Sequence, residues 1–159
     1  MDGELRSHLV FEPISVNAPA PSQSGDGSQL SLSLEFRSVV SIPVIVRHGR
    51  LGATATLSEA TIARAGTDWV AKFKLGRSGN RSLRGDLIAT FISSDGTRKT
   101  SLGKLAGLAV YCPNTERVVE MHLERDPSSL GKGKIELKFA EIDKSRGAAE
   151  TKAEIAVVG

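Results

Sequence analysis

Apolar and polar residues alternate with a period of two along most of this chain, and that pattern constrains its fold more than any other feature. Trp69, Ala71, Phe73 and Leu75 alternate with Val70, Lys72 and Lys74. Val119, Met121 and Leu123 alternate with Glu120, His122 and Glu124, and Ile135, Leu137 and Phe139 with Lys134, Glu136 and Lys138. Successive side chains of a strand point to opposite faces, so each run reads as a strand with one buried face. No segment carries a 3.6-residue stripe. Turn residues separate the runs at 76–80, Ser94-Asp95-Gly96, Pro113-Asn114, Gly131-Lys132-Gly133 and Arg146-Gly147. From residue 53 onward, the runs 53–62, 69–75, 86–93, 97–102, 107–112, 117–124, 134–140 and 149–158 predict seven or eight strands. The expected fold class is all-β, an immunoglobulin-like β-sandwich. Its only cysteine is Cys112, which excludes the antibody-type inter-sheet disulfide.

Size and charge bound the function. The 159 residues, 40% hydrophobic and 25% charged, suit one domain or one domain plus a fragment in water. The longest apolar stretch, Val39 to Val46, is broken by Ser41 and Pro43 and is far shorter than the roughly 18 residues of a spanning helix. The start, Met1-Asp2-Gly3-Glu4-Leu5-Arg6, has neither the basic head nor the apolar centre of a signal peptide. The net charge is +3. Residues 1–50 hold 4 Lys and Arg against 5 Asp and Glu, and the remaining residues hold 17 against 13. Basic and acidic residues are interspersed in that second part, as in Glu124-Arg125-Asp126, so a solvated mixed surface is expected and not a nucleic-acid-binding stripe.

The first fifty residues are organised differently. Leu5 to Phe11 reads as a strand, and 13–28 as a loop rich in Pro, Gly and Ser. Gln29 to Arg47 then reads as one extended segment of about 19 residues, where five or six is usual. In it Leu30, Leu32, Leu34 and Phe36 point one way, and Ser31, Ser33, Glu35 and Arg37 the other. A strand and a half cannot bury such a row alone. Either the rest of a domain is missing or the row is meant for a partner, and both can hold together.

Motifs for catalysis are sparse. The sequence has no His-Glu-x-x-His, Cys-x-x-Cys, Gly-x-Gly-x-x-Gly or phosphate-binding loop. His8, His48 and His122 lack ligand spacing, so no metal or cofactor is expected. Ser101 and Lys104 match a Ser-x-x-Lys spacing that requires a helix face, whereas Gly103 between them points to a strand end or turn. Arg84-Gly85-Asp86 is an adhesive tripeptide by composition and an ordinary turn by context, and Asn80-Arg81-Ser82 is a glycosylation sequon only in a eukaryotic secretory setting. Cys112 reads as a strand-end core residue or an exposed thiol able to dimerise. The chain is therefore expected not to be an enzyme.

Joined to an Ig-like domain, these first fifty residues resemble the PapD-like periplasmic chaperones of pilus assembly, especially the archaic, Csu-type branch. The segments that carry the likeness are residues 3–11 (GELRSHLVF), 41–48 (SIPVIVRH), the hairpin 75–86 and 107–113 (GLAVYCP). The resemblance implies that 1–48 is the C-terminal end of a PapD-like N-terminal domain, beginning mid-domain, and 49–159 an Ig-like C-terminal chaperone domain. It also implies a function. The chaperone stabilises pilin subunits in the periplasm by donor-strand complementation and delivers them to an outer-membrane usher, without membrane insertion. A subunit that lacks its last strand leaves a hydrophobic groove and unpaired edges, and a chaperone strand fills it with backbone pairing and alternate apolar side chains. Here those side chains are Leu30, Leu32, Leu34 and Phe36. Fully buried at roughly 1.5 to 3 kcal/mol each, they offer an upper bound of roughly 6 to 12 kcal/mol before ordering costs. The family's cleft holds the subunit's terminal carboxylate with an Arg from its first strand and a Lys on the donor strand. That Lys position falls near Pro43, so the anchor is not carried over, and Arg37 and Arg47 are the nearby cations.

Two other readings follow from the residues. One is a secreted Ig-like binding or adhesion module for which the N-terminal arm is dispensable, and the other a hydrolase built on Ser101 and Lys104. The exposed arm also invites self-association.

Overall fold

The computed structural model describes residues 2–14, 36–143 and 148–157. Among them the chain is all-β, with nine strands in antiparallel sheets. They are β1 (Gly3–Phe11), β2 (Val40–His48), β3 (Ala53–Ala65), β4 (Asp68–Gly79), β5 (Leu83–Ser93), β6 (Lys99–Val110), β7 (Glu116–Leu123), β8 (Gly133–Glu141) and β9 (Glu150–Val157). Among the described residues the only helical turn is a four-residue 3-10 segment, Pro127–Leu130, whose Asp126 carboxylate accepts from the Ser128 amide. The chain divides into two compact units, Met1–Leu5 with Arg47–Gly159, and Arg6–Val46.

In the larger unit, strands β3 to β9 form two sheets, ordered β3-β4-β7 and β6-β5-β8-β9. The alternation read from the sequence sets which face of each is dry. Ala71, Phe73 and Leu75 of β4, Val119 and Met121 of β7, Leu87, Ala89 and Phe91 of β5, and Ile135, Leu137 and Phe139 of β8 share one core. Each of the fully buried Leu and Phe side chains contributes on the order of 1.5 to 3 kcal/mol. The opposite faces are laced with ion pairs: Lys72 with Glu120 at 2.9 Å, Lys134 with Glu154 at 2.7 Å, Lys138 with Glu150 at 2.6 Å and Lys152 with Glu136 at 3.2 Å. Opposite charges placed across strands support the pairing register.

Three local expectations change. The runs 97–102 and 107–112 are one strand, β6, because Gly103 and Gly107 take positive φ (138° and 68°) and absorb irregularities without breaking the ladder. Seven strands therefore follow residue 53. The turn expected at 76–80 is delayed, since β4 runs to Gly79 and pairs with β3 along its whole length. Third, 36–39 lie outside any strand and β2 begins only at Val40, so the described part of 29–47 is not one continuous strand. A segment with no neighbouring strand has no ladder to extend it. In β3 the extra residue Glu59, at φ 52°, makes a bulge between Ser58 and Thr61.

In the smaller unit, β1 and β2 pair as a two-stranded ribbon. All nine residues of β2 are exposed, as are those of β1 from Ser7 onward.

Candidate binding strand and ribbon

Leu30, Leu32 and Leu34 of the expected donor row lie outside the described residues. Phe36, the last of that row, is 86% exposed. Beyond it Val39, Val40, Ile42, Val44, Ile45 and Val46 are all exposed as well. The apolar stretch that sequence reading singled out is therefore uncovered from Phe36 to the end of β2. It is rich in β-branched residues, which favour extended backbone, and Pro43 removes one backbone donor within it.

The two cations named from the sequence differ in setting. Arg37 is exposed beside Phe36. Arg47 Nε donates to Glu4 Oε2 at 3.0 Å, and that Glu4 side chain is fully buried while Arg47 is 43% exposed.

Glu4 belongs to a polar cluster that the sequence reading missed. Its carboxylate accepts from the Ser82 hydroxyl, from the Ser82 amide at 3.3 Å and from Arg47. The Ser82 hydroxyl in turn accepts from the Cys112 amide at 2.9 Å. Burial alone would push the Glu4 carboxyl up, but the hydrogen bonds from Ser82 and Arg47 outweigh it and hold the carboxyl below its ordinary value. Next to Ser82 in sequence, Arg81 forks onto Glu141 through both terminal nitrogens, and Glu141 also accepts from the Ala149 amide at 2.9 Å. The Glu141 hydrogen bond raises the Arg81 pKa further. Arg77, also buried, is satisfied by carbonyls: Asn114 at 2.9 Å, Gly79 at 2.8 Å and Arg81 at 3.0 Å. Together these groups fasten residues 2–5, the 79–82 turn, the 112–115 loop and the end of β8 to one another. One signal was available: Arg77 continues the inward parity of Ala71, Phe73 and Leu75. The pairing of Arg81 with Glu141, 60 positions away, left no local trace.

The other motifs fall into structural roles. Asn80 donates from Nδ2 to the carbonyls of Arg50 (2.9 Å) and Asp2 (3.3 Å) and accepts from the Gly52 amide at 2.9 Å. Its amide is thus committed to the chain's own backbone, and Arg81 and Ser82 of that sequon are buried. Arg84-Gly85-Asp86 lies inside β5, not in a turn before it. Asp86 pairs with Lys104 at 2.6 Å and accepts from the Gly107 amide at 3.0 Å. Lys104 is thereby engaged, and Ser101 stands exposed on the same strand β6. His122 Nδ1 lies 3.7 Å from Asp68 on the surface. Cys112 is a half-buried free thiol. Among the described residues no group of three or more His, Cys, Asp or Glu side chains could hold a metal, and no helix is long and apolar enough to cross a membrane.

Compared with family models, with curated proteins and with solved structures, the chain matches none of them.

Proposed function

We propose that this chain is a periplasmic chaperone of pilus assembly, or the C-terminal part of one, which shields incomplete pilin subunits by lending them a strand. The observation that carries the reading is the uncovered apolar run from Phe36 to Val46, continuing the alternating row Leu30, Leu32, Leu34. Contiguous exposed apolar surface of this kind marks an interaction site. A row that alternates with period two fits a partner that accepts an added strand, because the backbone supplies pairing and every second side chain enters a groove. In this reading, the likeness of 3–11 and 41–48 to PapD-like chaperones makes that partner a pilin subunit and the acceptor of the complex an outer-membrane usher.

The larger unit supports the same reading. Seven strands in two antiparallel sheets around one core are what an Ig-like sandwich, the chaperone's second domain, requires. Its outer faces pair their lysines with carboxylates, which suits a scaffold more than a nucleic-acid surface. In this reading the protein binds without catalysis and needs no cofactor.

The test is co-purification with a pilin subunit that lacks its final strand. The chain is expected to keep the subunit soluble, and the triple variant Leu32→Ser, Leu34→Ser, Phe36→Ser to lose the complex by at least tenfold in yield. Undiminished complex with the triple variant contradicts the reading.

A further inference from the structure

The two faces of the β1-β2 ribbon differ sharply in chemistry. Side chains alternate between faces along a strand, and the Arg47 to Glu4 bond fixes the phase of one strand against the other. Glu4, Arg6, His8 and Val10 of β1 therefore share a face with Ser41, Pro43, Ile45 and Arg47 of β2. The other face presents Leu9 and Phe11 from β1 and Val40, Ile42, Val44 and Val46 from β2, with Ser7 the only polar side chain between Leu5 and Phe11. All six are exposed, from 38% at Val44 to 56% at Val46.

We infer that this face is an interface between two copies of the chain, the ribbons packing face to face. Three observations favour a second copy as the occupant. Apart from His48 at its end the face carries no ionisable side chain, so two copies meet without burying an Asp, Glu, Lys or Arg, and the same patch on both satisfies a two-fold axis. The charged residues lie on the far side, where Glu4 is buried against Ser82 and Arg47. The six side chains expose on the order of 500 Å² per copy, so a pair buries at most on the order of 1,000 Å², the size of a weak, reversible interface. A two-stranded ribbon is marginal in water by itself, and a second layer is what a sheet with one apolar face requires. The face takes in Val40, Ile42, Val44 and Val46 of the uncovered run from which the chaperone reading is argued, but none of the donor row at 30–36, so the two are tested by different variants.

Sedimentation velocity on the full chain carrying Cys112→Ser, across about 1 to 100 micromolar where an interface of this size is populated, tests it. A monomer–dimer equilibrium is expected, weakened at least tenfold by Val44→Lys and unchanged by Ser41→Lys on the opposite face. A second measurement covers misfolding of the ribbon by lysine. Val44→Cys in the Cys112→Ser background is expected to form an intermolecular disulfide on mild oxidation. A monomer throughout the range, association indifferent to Val44→Lys, assembly beyond the dimer, or no cross-link through Val44→Cys would each overturn the inference.

Discussion

At the residue scale the larger unit is held by polar groups as much as by its core. Glu4 is fully buried, and it stays ionised because the Ser82 and Arg47 donors outweigh its desolvation. A carboxyl whose folded pKa lies below its unfolded value, 4.5 here, stabilises fully above that value and loses the contribution as pH falls through the folded pKa. Glu4→Gln is therefore expected to cost about 1 to 3 kcal/mol at neutral pH. It should also flatten the acid limb below about pH 4.5 in a plot of urea-unfolding free energy against pH. A variant with an unchanged acid limb contradicts this assignment.

Arg81 and Glu141 are a more costly pair to break, since both side chains are less than a tenth exposed. Arg81→Met leaves the Glu141 carboxylate buried with only the Ala149 amide, and is expected to cost roughly 3 to 5 kcal/mol by urea denaturation. The double variant Arg81→Met, Glu141→Leu should recover part of that loss, because no uncompensated charge remains. None of these pairings was legible in the sequence. Alternation tells which way a side chain points, whereas the partner of a buried charge depends on how distant strands meet, and Glu4 and Ser82 are 78 positions apart.

At the element scale, runs read from the sequence fall on all seven strands of the larger unit, and alternation gave the buried faces of β4, β7 and β8, because period-two burial is a local property of each strand. It misjudged ends and interruptions. Glycine was read as punctuation at 103 and 76–79, whereas β4 and β6 continue through those positions. Two further glycines act by what they lack. A Cβ on Gly85 would strike the Ala140 carbonyl and the Phe139 ring, and one on Gly133 would strike the Ile92 carbonyl and the Phe91 ring. Phe139 and Phe91, both fully buried, thus lie over glycines at opposite ends of the β5–β8 ladder. Gly85→Ala is expected to destabilise the protein by about 1 to 3 kcal/mol through overpacking. Gly66→Ala, which meets open space in the β3–β4 turn, separates that steric effect from the strain of its own positive φ of 65°. A Gly85→Ala protein as stable as the parent would show that Phe139 has room to move.

At the scale of the whole molecule, the chain consists of a well-packed seven-strand unit and a smaller unit whose apolar surface is not satisfied internally. The sequence shifts in character near residue 49, whereas the compact units separate after Leu5 and after Val46, with Met1–Leu5 belonging to the larger one. The argument that a strand and a half cannot bury its apolar side chains was made for Leu30, Leu32, Leu34 and Phe36, of which Phe36 alone is described and is exposed, while the exposure of Val39 to Val46 emerges only in the structure. The partner is the part that alternation does not specify, because an apolar row defines the shape of its acceptor and not the acceptor's identity.

The proposed pairing of residues 30–36 with an incomplete partner domain is read out by hydrogen–deuterium exchange of the full chain, alone and with a pilin subunit lacking its final strand. Amide exchange across 30–36 is expected to slow at least tenfold when the subunit is added, and Leu32→Ser with Leu34→Ser to abolish the slowing while exchange in β4, β5 and β8 is unchanged. Exchange across 30–36 that is indifferent to the subunit, with protection appearing instead on the outer faces of the larger unit, would contradict it.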